Sequence, residues 1–293
     1  MKNLITLLLS LMWVGSLNAQ EDLLQELEGL EEPQTNYAYA TFKSIRIVNG
    51  HSIEMPAANE LQVVISHRFG RINEGASELF GLDQANIRLG LEYGLTDWLE
   101  VGVGRSNVRK TYDGFLKLRL LRQSEGERSF PVTVSYVSGI MVNTLPWRDE
   151  TRDNLFSSRL SFNHQVLIAR KFSESFSLQV TPTLIHRNLV ETIEEPNDVL
   201  ALGVGFRQKL NSSLSINVEY FHLLTEYTAD NFEPSLSIGL DIETGGHVFQ
   251  LFFSNAQAMT ENLFVAETTG SWGQGDIHFG FNVNRVFNLK KNR

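Results

Sequence analysis

A chain of 293 residues can hold one large domain or two ordinary ones. Its net charge of −9, from 34 acidic against 25 basic residues, argues against nucleic acid as a partner, because phosphate binding needs clustered Lys and Arg. With no cysteine, the chain can form neither a disulfide framework nor a lipid-anchored cysteine.

In chain order, Lys2 precedes an apolar run from Leu4 to Leu17, and Asn18-Ala19-Gln20 follows with a small residue where cleavage would fall. That order predicts a secretory signal peptide over residues 1–19. The run is shorter than the roughly 20 apolar residues a membrane helix needs, and no other stretch comes closer. Residues 20–39 are an acidic arm. Leu23, Leu24, Leu27 and Leu30 stand at roughly helical spacing before Pro33, which predicts a short amphipathic helix or flexible periplasmic arm. Residues 40–59 read as a β-hairpin segment, with short strands at 41–48 and 52–55 around the turn Asn49-Gly50.

From residue 60 to 287 the period is two. Leu61, Val63, Ile65, His67 and Phe69 share one face, and Gln62, Val64, Ser66 and Arg68 the other. The same alternation returns at Ile87–Leu95, Leu99–Val103, Leu116–Leu120, Leu160–Ile168 and Phe176–Leu184. It continues at Leu200–Phe206, Leu214–Tyr220, Leu236–Ile242 and Ile277–Phe287, and is blurred at 131–142 and 247–254. The polar face is rich in Gly, Ser, Asn and charges of both signs, which suits a crowded, wet lumen. Short turns, near Thr96-Asp97, Ser173-Glu174, Asn211–Ser213 and Thr244–Gly246, alternate with mostly longer loops. About 12 strands with both ends on the short-turn side predict an all-β fold. It is a transmembrane antiparallel up-and-down β-barrel in the outer membrane, contacting lipid, with residues 288–293 as a C-terminal tail.

The segments ATFKSIRIVNGHSIE (40–54), LQVVISHRFGRINEGASELFGLD (61–83), IRLGLEYGLTDWLEVGVGRS (87–106) and YDGFLKLRLL (112–121) resemble a family of Bacteroidetes-type proteins. It is catalogued as domain of unknown function 5777, and its members are taken to be outer-membrane β-barrels. The resemblance covers essentially the whole mature chain and implies fold and location; the family has no established catalytic or binding residues. The last strand, HFGFNVNRVF, resembles the C-terminal signal read by barrel-assembly machinery, which is the partner expected during biogenesis. Arg285 and the six residues after Phe287 depart from that signal.

For chemistry the sequence offers little. No HExxH, His-x-His pair, phosphate loop or dinucleotide fingerprint occurs, so neither metal nor cofactor is expected. By alternation His67, His164, His186 and His222 face outward, three of them toward the loop ends, as interfacial residues do. His164 falls near mid-strand without a serine two residues away on its face, which argues against a lipid-cleaving hydrolase and for a non-enzymatic barrel. The charged residues expected in the lumen are Arg68, Arg88, Glu92, Glu100, Lys117, Arg119, Arg159, Arg187, Arg207, Glu219, Asp241 and Asp276. Glu92 and Glu100 are near neighbours across one turn. An internal salt-bridge lattice is favoured over an acid–base pair, because buried charges need partners. The same residues suit a passage or binding cavity for a small polar solute. A structural or partner-docking barrel is the alternative, an outer-membrane lipid-modifying enzyme with a cross-strand serine beside His164 is the third reading, and the sequence leaves the oligomeric state open.

Overall fold

The computed structural model describes residues 34–225 and 232–289. The signal peptide, most of the acidic arm and residues 290–293 of the tail lie outside them. Twelve strands close into one antiparallel barrel: β2 (Glu60–Arg71), β3 (Ala85–Thr96), β4 (Leu99–Ser106), β5 (Tyr112–Leu121), β7 (Thr133–Val142), β8 (Leu160–Lys171), β9 (Phe176–Arg187), β10 (Asp198–Lys209), β11 (Leu214–Leu223), β12 (Ser235–Thr244), β13 (His247–Ser254) and β14 (His278–Asn288). Each strand pairs with its sequence neighbour in the barrel, and β14 returns to β2 with Val283 opposite Ile65, so no edge is left open. A separate two-stranded sheet pairs β1 (Thr35–Tyr37) with β6 (Ser124–Gly126) inside the 123–130 link.

The two faces of the wall differ as the alternation predicts. Along β2, Gln62, Val64, Ser66 and Arg68 are buried, while Leu61, Val63 and Ile65 point outward. Leu89, Leu91, Val103, Leu116, Leu200, Ile238, Leu240, Leu251 and Phe253 are exposed on neighbouring strands. An apolar surface this continuous would be an aggregation hazard in water and is stable against lipid. Among the described residues no helix is long and apolar enough to cross a membrane, so the strands do the crossing.

The lumen is filled from both ends. From the short-turn end, residues 41–53 run up inside the barrel, with Phe42, Ile45, Ile47, Val48 and Ile53 buried. The two strands expected at 41–48 and 52–55 do not form. One bridge, Arg46 to His51, and the hydrogen bonds Ile47 N–H to Gly50 O (3.0 Å) and Ser52 N–H to Ile45 O (2.9 Å) make a tight internal hairpin around Asn49-Gly50. From the long-loop end, the connection between β13 and β14 folds inward. It carries one turn of helix, α1 (Glu261–Phe264), and buries Met259, Leu263, Phe264, Val265 and Ala266.

Glycines make room for this filling. A Cβ on Gly205 would lie 2.4 Å from the Ile47 Cδ1 methyl. Gly205→Leu is therefore expected to push Ile47 off the wall and loosen the hairpin by about 1–3 kcal/mol, the usual cost of overpacking. Ile47→Ala in the same chain should recover part of that loss, and urea unfolding in detergent micelles measures both.

Candidate functional site: a latched lumen and an arginine-lined vestibule

The interior holds the hairpin through wall side chains that no strand partner could replace. At its tip, the Glu219 carboxylate of β11 accepts the backbone N–H groups of Val48 (3.3 Å), Asn49 (3.0 Å) and Gly50 (2.9 Å). Gln250 of β13 donates to Arg46 O (3.2 Å), Ile47 O (2.9 Å) and Asp241 (2.9 Å). Asn282 donates to Val48 O (2.8 Å), Arg68 to the Asn49 side-chain oxygen (2.6 Å), and Gln179 to His51 O (2.8 Å). Most polar groups of the turn thus find partners away from water, as buried backbone requires.

The hairpin and the insert meet at one arginine. Arg46 Nη1 pairs with Glu261 at 2.7 Å and Nη2 with Glu92 of β3 at 3.2 Å, while His51 Nε2 lies 3.3 Å from Glu261. The ring of Phe115 packs edge-on against His51, centroids 4.4 Å apart, and beneath the Arg46 guanidinium at 5.6 Å. One planar guanidinium therefore joins three elements: wall, hairpin and insert.

The charged residues read from the sequence fall into four settings. Arg68, Glu219 and Asp241 contact the hairpin or the side chains that hold it. Arg88 pairs with Asp113 and Lys117 with Glu100 (3.4 Å), both inside the wall; Lys117 Nζ also donates to Glu54 O. Glu92 lies opposite Gly102 and Glu100 opposite Gly94, a diagonal cross-strand pair whose carboxyl groups come within reach of each other, as expected. At the short-turn mouth, Arg207 donates to Ala40 O (3.0 Å) and half-buried Arg119 to Asp97 O (2.9 Å). At the opposite mouth are Arg159, Arg187 and Asp276, the last 3.0 Å from Arg71.

That mouth contains a cavity of about 440 Å³. Arg109, Arg148, Arg152, Arg159 and Arg187 line it against Asp149, Asp153, Glu191 and Glu267, so arginines outnumber acids by one. The Arg159 guanidinium stacks 3.8 Å over Trp147 and donates to Asn143 O (2.9 Å) and Leu145 O (2.6 Å), which fixes the 143–154 loop. Asp149 stays ionised below the usual carboxylate range, because the Thr151 hydroxyl and N–H both donate to it. From the insert, Glu267 gives one oxygen to Arg109 (2.6 Å) and the other to Arg187 (3.2 Å). Among the described residues no group of three His, Asp or Glu side chains could hold a metal ion.

Several of these residues were invisible to alternation. Arg46, His51, Glu261 and Glu267 lie off the wall strands, and Arg109, Arg148 and Arg152 lie in loops. One signal was available: Met259, Leu263, Phe264, Val265 and Ala266 form an apolar group in a loop that would otherwise face water.

On the outer face, His164 Nδ1 is 2.7 Å from the Tyr136 hydroxyl, which satisfies a polar ring placed against lipid. Ser138 stands directly across from His164 in the β7–β8 register, a cross-strand neighbour that in-strand spacing does not reveal. The hydrogen bond that the His164 ring makes goes to Tyr136. His186 pairs with Asp198 (2.7 Å), His222 lies 3.3 Å from the Tyr220 hydroxyl, and His67 stacks on Phe281.

No curated protein matches the chain. Among solved structures, a NanC porin is 8% identical, covering 78% of this chain and 100% of that one, with a TM-score of 0.48. An outer membrane channel from Pseudomonas putida F1 is 14% identical, with coverages of 80% and 97% and a TM-score of 0.47. An active-site mutant of outer membrane phospholipase A from Escherichia coli is 10% identical, with coverages of 86% and 99% and a TM-score of 0.45. The family model described as a membrane bound beta barrel domain (DUF5777) matches residues 42–287, which takes in the internal hairpin and all twelve barrel strands except the last residue of β14. A lipid-compatible wall closed on itself and a match of this extent lead to one conclusion: the chain belongs to the DUF5777 family of membrane-bound β-barrels.

Proposed function

We propose that the protein is a non-enzymatic outer-membrane barrel that receives a small polar solute at its long-loop mouth and admits it only when hairpin and insert part. The observation that carries this reading is the vestibule. Its arginine-lined cavity is bounded by Asn262 and Glu267, which belong to the same insert that closes the lumen below. Such a mixture of an aromatic platform and convergent polar groups is what small-molecule sites use.

The latch is also suited to release. Arg46 Nε and His51 Nδ1 have no hydrogen-bond partner. A partly satisfied buried network is held less firmly than a fully satisfied one. The double closure equally favours a second reading, a sealed structural barrel that never opens. Planar-bilayer conductance separates the two. The wild type is expected to be closed, and the Arg46→Met, Glu219→Ala double variant to conduct small ions. Closure of both proteins, each folded by its heat-dependent gel shift, would remove the passage reading and leave the structural one.

A further inference from the structure

The vestibule already holds a carboxylate, and it belongs to the protein itself. Glu267 reaches out from the insert and occupies Arg109 with one oxygen and Arg187 with the other. Two guanidiniums that grip opposite oxygens of one carboxylate form a site whose chemistry is independent of where that carboxylate comes from. Arg187 is buried, and Glu195 (3.4 Å) and Pro196 O (2.8 Å) hold it in place, so it is a preorganised donor. Arg109 is partly exposed on its loop and free to adjust.

Glu267 and Arg109 also line a second, smaller cavity of about 250 Å³, so their ion pair forms a wall between two spaces. If Glu267 leaves, the larger cavity keeps five arginines against three acids. That balance favours an anion rather than a neutral or cationic solute.

We infer that the vestibule binds a small organic carboxylate, which takes the place of Glu267 between Arg109 and Arg187. Glu267 is thus an internal competitor. It lowers the apparent affinity by the fraction of time it occupies the pair, and it keeps the site electrically satisfied when empty. Its displacement acts on the insert, which at its other end holds Arg46 through Glu261. The inference rests on the reading of this mouth as the solute-facing end, and it adds the class of solute.

The test is calorimetric titration of the full barrel in detergent micelles with glucuronate as the anionic probe and glucose as its neutral control. Glucuronate is expected to bind at least about tenfold more tightly than glucose, a difference within reach of charge-assisted pairing. Glu267→Gln, which removes the competitor, should tighten glucuronate about tenfold. Arg109→Gln, on a half-exposed loop side chain that leaves the core untouched, should weaken it about tenfold. Equal binding of the two probes, or unchanged glucuronate affinity in Glu267→Gln, would overturn the assignment. Conductance is not read in this titration. A barrel that never conducts but shows this pattern loses the passage reading and keeps the site; a conducting barrel without preference does the reverse.

Discussion

Arg46→Met is expected to free the internal hairpin, lowering its docking stability by about 3–5 kcal/mol, the usual consequence of removing one partner from a buried ion pair. Methionine fills most of the volume, so the effect is electrostatic. Glu92 and Glu261 would remain buried facing each other's charge, with no cation bridging them. Hydrogen exchange of residues 42–54 in detergent micelles reads the result: protection should fall by a factor of about a hundred or more, since each 1.4 kcal/mol is tenfold. Arg46→Lys should recover only part, because a single ammonium reaches one carboxylate where the guanidinium reaches two with separate nitrogens. Adding Glu92→Gln and Glu261→Gln to Arg46→Met should restore more protection than lysine does, since no uncompensated charge is then left inside. Unchanged protection in Arg46→Met would mean that the hairpin is held by its apolar side chains alone.

The wall was legible in the sequence because its physics is local. Each strand must put one face on lipid and the other on the lumen, so Leu61, Val63 and Ile65 against Gln62, Val64 and Ser66 record the fold within a few residues. Closure follows from the even strand number and the alternating turns. Strand pairing then brings Glu92 and Glu100 to the same interior without further information.

The interior was not legible in the same way, because its contacts are remote. Arg46 meets Glu261 across 215 residues, and Val48 meets Glu219 across 171. The Asn49-Gly50 turn is recognisable from composition, but the strands around it are not formed. Gln250, Asn282 and Gln179 take the backbone groups that a strand partner would otherwise take. The vestibule shows the same division. Arg187 ends β9 and Arg159 directly precedes β8, close enough to the strands for alternation to place them. Arg109, Arg148 and Arg152 sit in loops that have no period, and only the folded loops bring them together.

The second large effect is expected at Glu219, where charge and backbone meet. Three N–H groups at the tip of the hairpin point at this one carboxylate, a concave arrangement of amides that binds anions. Glu219→Ala leaves all three without it in a space closed to water. At roughly 1–3 kcal/mol for each orphaned buried donor, the loss is about 3–9 kcal/mol if the tip cannot rearrange. Rearrangement is restricted. Gly50 sits so close to the wall that a Cβ there would already lie 3.1 Å from the Phe221 ring. The tip therefore has little room to turn its amides elsewhere and should leave the pocket. Glu219→Gln separates charge from shape: its oxygen still accepts, but its amide nitrogen faces a donor, so an intermediate loss is expected. Exchange of the Val48, Asn49 and Gly50 amides should accelerate in the order wild type, Gln, Ala. The same order in bilayer conductance would tie the tip to the closed state; faster exchange without conductance would mean that the insert alone keeps the lumen shut.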